Sequence, residues 1–173
     1  MKILGFDLGD GESAVTLLDE DSTVEPRVLP LCGRNSLLSA VGVKNGRIVI
    51  GEEASVTDGA AEAKVRFKSR YLTDPSASAD VRAFAQGVMN ELTRTQPALM
   101  AEVSRTVVGC PAGWGDGRRE QYAALLESAG FPNVSVVPEP RAAFLYARHA
   151  RGLRVSPELM KKSAMVIDIG SST

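Results

Sequence analysis

Residues that often build catalytic or metal sites are scarce, since the chain has a single histidine and two cysteines. Cys32 and Cys110 form no closely spaced pair, so their spacing indicates neither a disulfide framework nor a zinc site. Because free cysteines are often buried, both are expected to be small core residues. His149 has no serine, cysteine or carboxylate at a catalytic spacing and is interpreted as positive charge at a helix end.

An excess of one charge sign is also absent, since 20 basic residues stand against 21 acidic ones. The resulting net charge of -1 encodes no general attraction to nucleic acid or to an anionic membrane. No apolar run approaches the roughly 18 residues that a membrane span requires, and the N-terminus does not resemble a signal peptide. The expected protein is soluble and cytoplasmic, with neither nucleic acid nor a membrane as its partner.

The segment up to Gly51 is rich in strand patterns. Asn45-Gly46 is a tight-turn dipeptide, and short apolar runs predict strands over residues 3–8, 13–18, 27–31, 37–43 and 47–50. Residues 52–61 and 62–72 are predicted to be helical before Asp74-Pro75 interrupts the chain. A less regular subdomain is expected over residues 32–103.

Helical periodicity is strongest in the next segment, which ends at Pro97 and carries an apolar stripe of Val81, Phe84, Ala85, Val88 and Leu92. Two strand-to-helix units follow, with strands over 105–110 and 134–137. Their helices are expected to begin at Asp116, as the capping residue, and at Glu139. A polar connector over 152–163 and a final strand over 164–170 complete the prediction. The order of elements indicates an α/β fold with a mixed sheet.

The two ends of the chain repeat one unit. Residues 3–9 and 165–170 are both apolar strands that end in Asp, an aliphatic residue and Gly, with Asp7 and Asp168 in matching places. A Gly-rich turn can direct backbone N–H groups at phosphate oxygens, and a carboxylate at the strand end can hold hydrated Mg²⁺. Two such turns are expected to clamp the phosphates of one nucleotide. Because the second copy stops at Thr173, the chain is expected to be a fragment of a longer protein.

Two stretches carry a specific resemblance to a known family. Residues 106–130, which begin Thr-Val-Val-Gly-Cys-Pro-Ala, and residues 136–147, with Glu-Pro-x-Ala-Ala at a helix start, closely resemble the seventy-kilodalton heat-shock chaperones. The closing Asp-x-Gly-x-x-Thr completes the set. The resemblance implies the first lobe of an actin-like ATPase, of ribonuclease H-like fold with a mixed sheet of the five-stranded type, over residues 1–163. Residues 164–173 would then open the second lobe.

The resemblance also implies ATP or ADP with Mg²⁺ as cofactors and assigns roles to individual residues. Asp7 and Asp168 would flank Mg²⁺ and the attacking water, and Glu139 would help to position that water. Pro111 and Arg119 match the pair through which the family relays nucleotide state to its substrate-binding part. Contacts to the nucleotide are expected from Gly9, Asp10, Gly11, Lys68, Gly170, Ser171, Ser172 and Thr173.

The sequence departs from the family in two places. Asp10, Gly11 and Glu12 replace the usual hydroxyl residues of the first phosphate loop, and two extra carboxylates should repel a triphosphate unless they turn outward or meet metal. The family's catalytic lysine follows a phenylalanine by three residues, which puts Arg70 in that place and Lys68 two residues before it. Arginine presents a planar fork rather than a point charge, so slower or altered hydrolysis is expected. A solvated basic helix face is the alternative for both cations.

Three functions remain open on this fold, because fold alone does not choose among them. The leading expectation is a heat-shock-type chaperone that couples Mg-ATP binding and hydrolysis to the binding of client polypeptides, with clients and co-chaperones contacting other regions. The alternatives are an actin-like filament or cell-shape ATPase and a degenerate chaperone relative that senses nucleotide without turnover. The Glu139-Pro140 signature favours the chaperone, whereas Asp10, Glu12 and Arg70 favour the sensor.

Overall fold

The computed structural model describes residues 1–21, 25–56, 63–71, 74, 76–149, 156, 158 and 165–167. In chain order the elements are β1 (Lys2–Leu8), β2 (Glu12–Asp19), β3 (Arg27–Leu29), β4 (Leu37–Leu38), β5 (Ala40–Lys44), β6 (Arg47–Ile50), α1 (Glu52–Ser55), β7 (Lys64–Val65), α2 (Phe67–Arg70), α3 (Ala77–Thr95), α4 (Pro97–Glu102), β8 (Val103–Cys110), α5 (Asp116–Ser128), β9 (Val134–Pro138) and α6 (Glu139–His149).

A mixed six-stranded sheet with flanking helices forms the main body. Its strand order is β3-β2-β1-β8-β9, with β4 also paired to β2. The hairpin of β1 and β2 is antiparallel, whereas β1, β8 and β9 run parallel. The predicted α/β class with a mixed sheet is therefore confirmed, and strands β8 and β9 reach the sheet after helical crossovers, as parallel pairing requires.

The hydrophobic core combines residues of this sheet with residues of helix α3. All five residues of the predicted apolar stripe, from Val81 to Leu92, are fully buried, which confirms the helix predicted there. In β1, Leu4, Phe6 and Leu8 are buried at alternate positions, as the period of a strand with one covered face demands. Phe6 stacks on Phe131 with ring centroids 4.9 Å apart, which ties β1 to the segment that follows α5.

A small antiparallel sheet of order β6-β5-β7 carries the inserted segment. Asn45 and Gly46 join β5 to β6 with φ values of 51° and 74°, the left-handed conformation that a two-residue hairpin turn needs. The single strand predicted over 37–43 is instead broken at Ser39, whose buried hydroxyl lies 2.7 Å from that of Ser13. The chain leaves the main sheet at this point and enters the small one.

The helices predicted over residues 52–61 and 62–72 are confirmed only in part. Helix α1 spans only Glu52–Ser55, Lys64–Val65 pair with β5 as strand β7, and α2 is a single turn. Pairing with a distant strand has overridden local helical propensity in this segment. Residues 57–62 lie outside the described part of the chain.

Three smaller expectations also need correction. Cys32 is exposed rather than buried, because it occupies a tight turn with φ of 50°, whereas Cys110 is buried as expected. Asp116 is the first residue of α5, and Gly115 takes the capping position without a side-chain hydrogen bond. Residues 165–167, the described part of the predicted final strand, pair with no described strand, and Met165 and Ile167 are largely exposed.

Across the described ranges, no helix combines the length and the apolar character needed to cross a membrane.

Gly87 is the contact point between α3 and the small sheet, and it provides a test of the packing. A Cβ at this position would press against Ile50 Cγ2 and lie 3.2 Å from Ile48 Cγ2, both on stiff β-branched side chains. Gly87→Ala should therefore lower the free energy of unfolding by about 1–2 kcal/mol, although alanine is the better helix former. Denaturant titration measures the change.

Gly117→Ala is the matched control, because in the described part of the chain no atom beyond the local backbone of α5 and the neighbouring residues lies within 4 Å of a Cβ added there. This substitution should raise the free energy of unfolding by up to about 1 kcal/mol. A Gly87→Ala variant that gained stability as Gly117→Ala does would contradict the packing of α3 on β6.

Candidate functional site

The carboxyl ends of the three parallel strands meet at one edge of the main sheet. Cys110 at the end of β8 is in register with Pro138 at the end of β9, and Phe6 near the end of β1 is in register with Val108. The segments that leave this edge are the Gly9 turn, the loop after Pro111 and helix α6. Open α/β sheets commonly bind ligands at this edge, so we take it as the candidate site.

A partly buried ion pair joins the inserted segment to this edge. Lys68 Nζ donates to Glu139 Oε1, although the two residues are 71 positions apart. The Lys68 side chain is 9% exposed and that of Glu139 is 29% exposed. Gly109 makes room for the pair, since a Cβ there would lie 2.9 Å from Glu139 Cγ. The strand residue beneath Glu139 must therefore be very small.

Lys68 and Arg70 point to different surroundings. The Arg70 guanidinium lies 3.3 Å from Asp74 Oδ2 and 3.7 Å from Asp80 Oδ2. Residues two apart on a helix are separated by about 200° around its axis, so one turn cannot present both cations to Glu139. The structure brings Lys68 to the candidate site and directs Arg70 to carboxylates at the start of α3.

The first loop, residues 9–12, is held by hydrogen bonds on both sides. Asp10 Oδ1 accepts from the Ser69 backbone N–H at 2.9 Å, and Glu12 Oε2 accepts from Ser36 Oγ at 2.8 Å. The Gly11 carbonyl accepts from the Ser39 N–H at 2.8 Å. Both carboxylates that were expected to repel a triphosphate are thus bonded to neighbouring protein groups.

Gly9 is required by the shape of the same loop. A Cβ at Gly9 would collide with the backbone carbonyl oxygen of Glu12, which no side-chain movement could relieve. The tight turn brings the β1 and β2 ends together directly beside Asp7, which is exposed and is paired in register with Ala14. An accessible carboxylate beside a glycine turn is the arrangement predicted from the sequence.

The second predicted loop lies outside the described residues, which include none of Asp168, Gly170, Ser171, Ser172 and Thr173. Among the residues that are described, no three or more histidine, cysteine or acidic side chains converge on one point. Mg²⁺ commonly uses only one or two protein carboxylates and completes its shell with water and phosphate oxygens, so Asp7 fits its chemistry.

An aromatic cluster packs beside the ion pair. Trp114 meets Tyr122 edge to face with ring centroids 5.0 Å apart, and Tyr71, which follows α2, lies 5.7 Å from Trp114. Trp114 is buried, which fits a packing role. Burial raises the pKa of Tyr122, and the negative charge of Glu139 raises it further. Tyr122 is not among the predicted site residues, and no motif in the sequence indicated its position near Glu139.

Pro111 directly follows β8, and the Arg119 side chain lies near Cys110, the last residue of that strand. The Pro111 carbonyl accepts from the Trp114 N–H at 3.2 Å, and Arg119 Nη1 lies 3.4 Å from Asp116 Oδ1. Burial raises the pKa of the Cys110 thiol, and the nearby Arg119 charge opposes this. Arg119 Nε is buried and has no hydrogen-bond partner within the described part of the chain.

No protein-family model matches the sequence. The heat-shock resemblance therefore stays a prediction from the sequence motifs.

The Lys68–Glu139 pair can be tested by a double-mutant cycle. Lys68→Met and Glu139→Gln should each lower the free energy of unfolding by about 2–4 kcal/mol, because each leaves one poorly solvated charge alone. The double variant should lose much less than the sum, which gives a coupling energy of about 1–3 kcal/mol. Chemical denaturation of the four proteins measures it. Strictly additive losses would contradict a direct buried pair.

Proposed function

We propose that this chain is the ATP-binding lobe of a heat-shock-type chaperone ATPase, with the phosphate end of the nucleotide at the edge formed by β1, β8 and β9. The observation that carries the proposal is the connected set of Asp7, the Gly9 turn, Lys68 and Glu139. A cation, two carboxylates and a glycine turn from three distant segments lie at the ligand-binding edge of one sheet.

Each residue has a chemical part in this proposal. Asp7 would hold hydrated Mg²⁺, since its carboxylate is exposed beside the turn. Lys68 would neutralise phosphate charge, and Glu139 would accept a hydrogen bond from the attacking water and orient it. Bound Mg-ATP would supply the divalent charge and the phosphoanhydride bond. Catalysis of this kind depends on positioning and on charge neutralisation, and both rest on groups already held in place.

The motifs after β8 and at α6 favour a chaperone over a filament protein. Glu139 opens α6 immediately after β9, as the resemblance implies for the water-positioning carboxylate. Pro111 and Arg119 flank Cys110 next to this site, which suits a relay of nucleotide state. The degenerate sensor would differ in turnover rather than in binding, so measurements of both properties distinguish it.

Binding of Mg-ATP provides the first test. The 173-residue chain should bind with a dissociation constant of about 1 mM, because the resemblance gives it mainly the phosphate contacts. Amide NMR shifts of Gly9 and Gly11 should follow the titration. Asp7→Asn and Asp168→Asn should each weaken Mg-dependent binding by about tenfold, whereas Asp116→Asn, at an exposed carboxylate on α5, should not. Unchanged titrations in both the Asp7 and the Asp168 variants would refute the site.

A second test distinguishes the two cations. In a Glu139→Gln background, which removes the partner's charge, Lys68→Met should weaken Mg-ATP binding by about tenfold through loss of a charge next to the phosphates. Arg70→Ala and Arg70→Lys should stay within about twofold, since Arg70 is engaged by Asp74 and Asp80. Weakening by Arg70→Ala but not by Lys68→Met would assign the phosphate contact to Arg70 instead.

A further inference from the structure

We propose that Asp10 is a positioning residue, whose carboxylate caps helix α2 from the first loop and so holds Lys68 against Glu139. The consequence for nucleotide binding rests on the proposed function, whereas the cap itself does not.

Helix α2 has no cap of its own. It is one turn long, Phe67–Arg70, and its N-cap residue Arg66 has φ of 52° and makes no side-chain capping hydrogen bond. A single turn is unstable alone, since it fixes several backbone dihedrals for few hydrogen bonds. Its first turn also contains no acidic residue and carries Lys68, so its own charges oppose the helix dipole.

Asp10 supplies the missing acceptor from 59 residues away. The Ser69 N–H belongs to the third residue of α2 and is one of the donors that a helix start leaves unsatisfied. Asp10 Oδ1 accepts it at 2.9 Å, the bond that an N-cap side chain ordinarily makes within one segment. Asp10 is only 9% exposed, and its negative charge makes this a charge-assisted bond at the positive end of the turn.

The cap fixes the residue that precedes Ser69. On one side of Lys68, the Phe67 ring is fully buried and lies 5.1 Å from the Phe84 ring of α3. On the other side, Ser69 is held by Asp10. Both sequence neighbours of Lys68 are therefore anchored, and from this turn its ammonium reaches Glu139.

The rest of the loop keeps Asp10 in place. The bonds from Ser39 N–H to the Gly11 carbonyl and from Ser36 Oγ to Glu12 hold residues 11 and 12 against the segment before β5. The Asp10 carboxylate should then repel the nucleotide phosphates only weakly, because it is directed at a backbone N–H of α2. Asp10, which stands where the family usually has hydroxyl residues, thus helps to position Lys68.

Chemical labelling of Lys68 tests the proposal in the complete chain without nucleotide. The acylation rate of each lysine is measured by mass spectrometry, with half-exposed Lys44 as the internal reference. Asp10→Ala should accelerate Lys68 labelling by about tenfold, the effect of losing one charge-assisted hydrogen bond. Asp10→Asn keeps an acceptor oxygen and should stay within about twofold of the native rate. Glu12→Gln, in the same loop but bonded to Ser36, is the matched control and should cause no change.

Hydrogen exchange at the Ser69 amide provides a second measurement if Asp10→Ala folds poorly. Asp10→Ser, whose hydroxyl is one bond shorter than the carboxylate, should speed this exchange by about tenfold, and Asp10→Asn should protect the amide nearly as well as the native residue. A native labelling rate in Asp10→Ala, or equal acceleration by Asp10→Ala and Asp10→Asn, would overturn the proposal. Since neither readout uses ATP, failure of the phosphate site leaves this test intact.

Discussion

The ion pair between Lys68 and Glu139 is the contact on which the candidate site depends. A buried ammonium without a partner is strongly destabilising, so the inserted segment must dock where a carboxylate is available. Glu139 provides it at the end of β9, and Gly109 leaves the space for it. The Lys68–Glu139 ion pair therefore connects helix α2, in the inserted segment, to the second strand-to-helix unit.

Elements decided by local chemistry could be predicted from the sequence, whereas those decided by distant pairing could not. The stripe on α3, the turn at Asn45-Gly46 and the strands before α5 and α6 follow from periodicity and turn residues. The break at Ser39 and strand β7 depend on partners that only the folded sheets supply. Likewise, the length of α2 follows from its anchoring rather than from its propensity.

The residues of the candidate site also differ in whether the sequence alone could indicate them. Asp7 and Glu139 could be named in advance because each lies near the end of a strand, inside a recognisable motif. The choice between Lys68 and Arg70 remained open, since their two-residue spacing places them on opposite sides of a turn. The carboxylate that pairs with Lys68, Glu139, lies 71 positions away in sequence. The hydrogen bond from the Ser69 N–H to Asp10 uses a backbone donor, which every residue except proline has. The residue type at position 69 therefore could not have indicated it.

Paramagnetic broadening by Mn²⁺ tests the central claim most directly, because Mn²⁺ takes the oxygen ligands that Mg²⁺ prefers. With ATP present, trace Mn²⁺ should broaden the amide signals of residues 7–12 and of Lys68 and Glu139, and without ATP the effect should be much weaker. The exposed carboxylates at the start of α5 should be unaffected. Broadening that avoids the Gly9 turn, or that is the same with and without ATP, would contradict a nucleotide phosphate site at the edge of β1, β8 and β9.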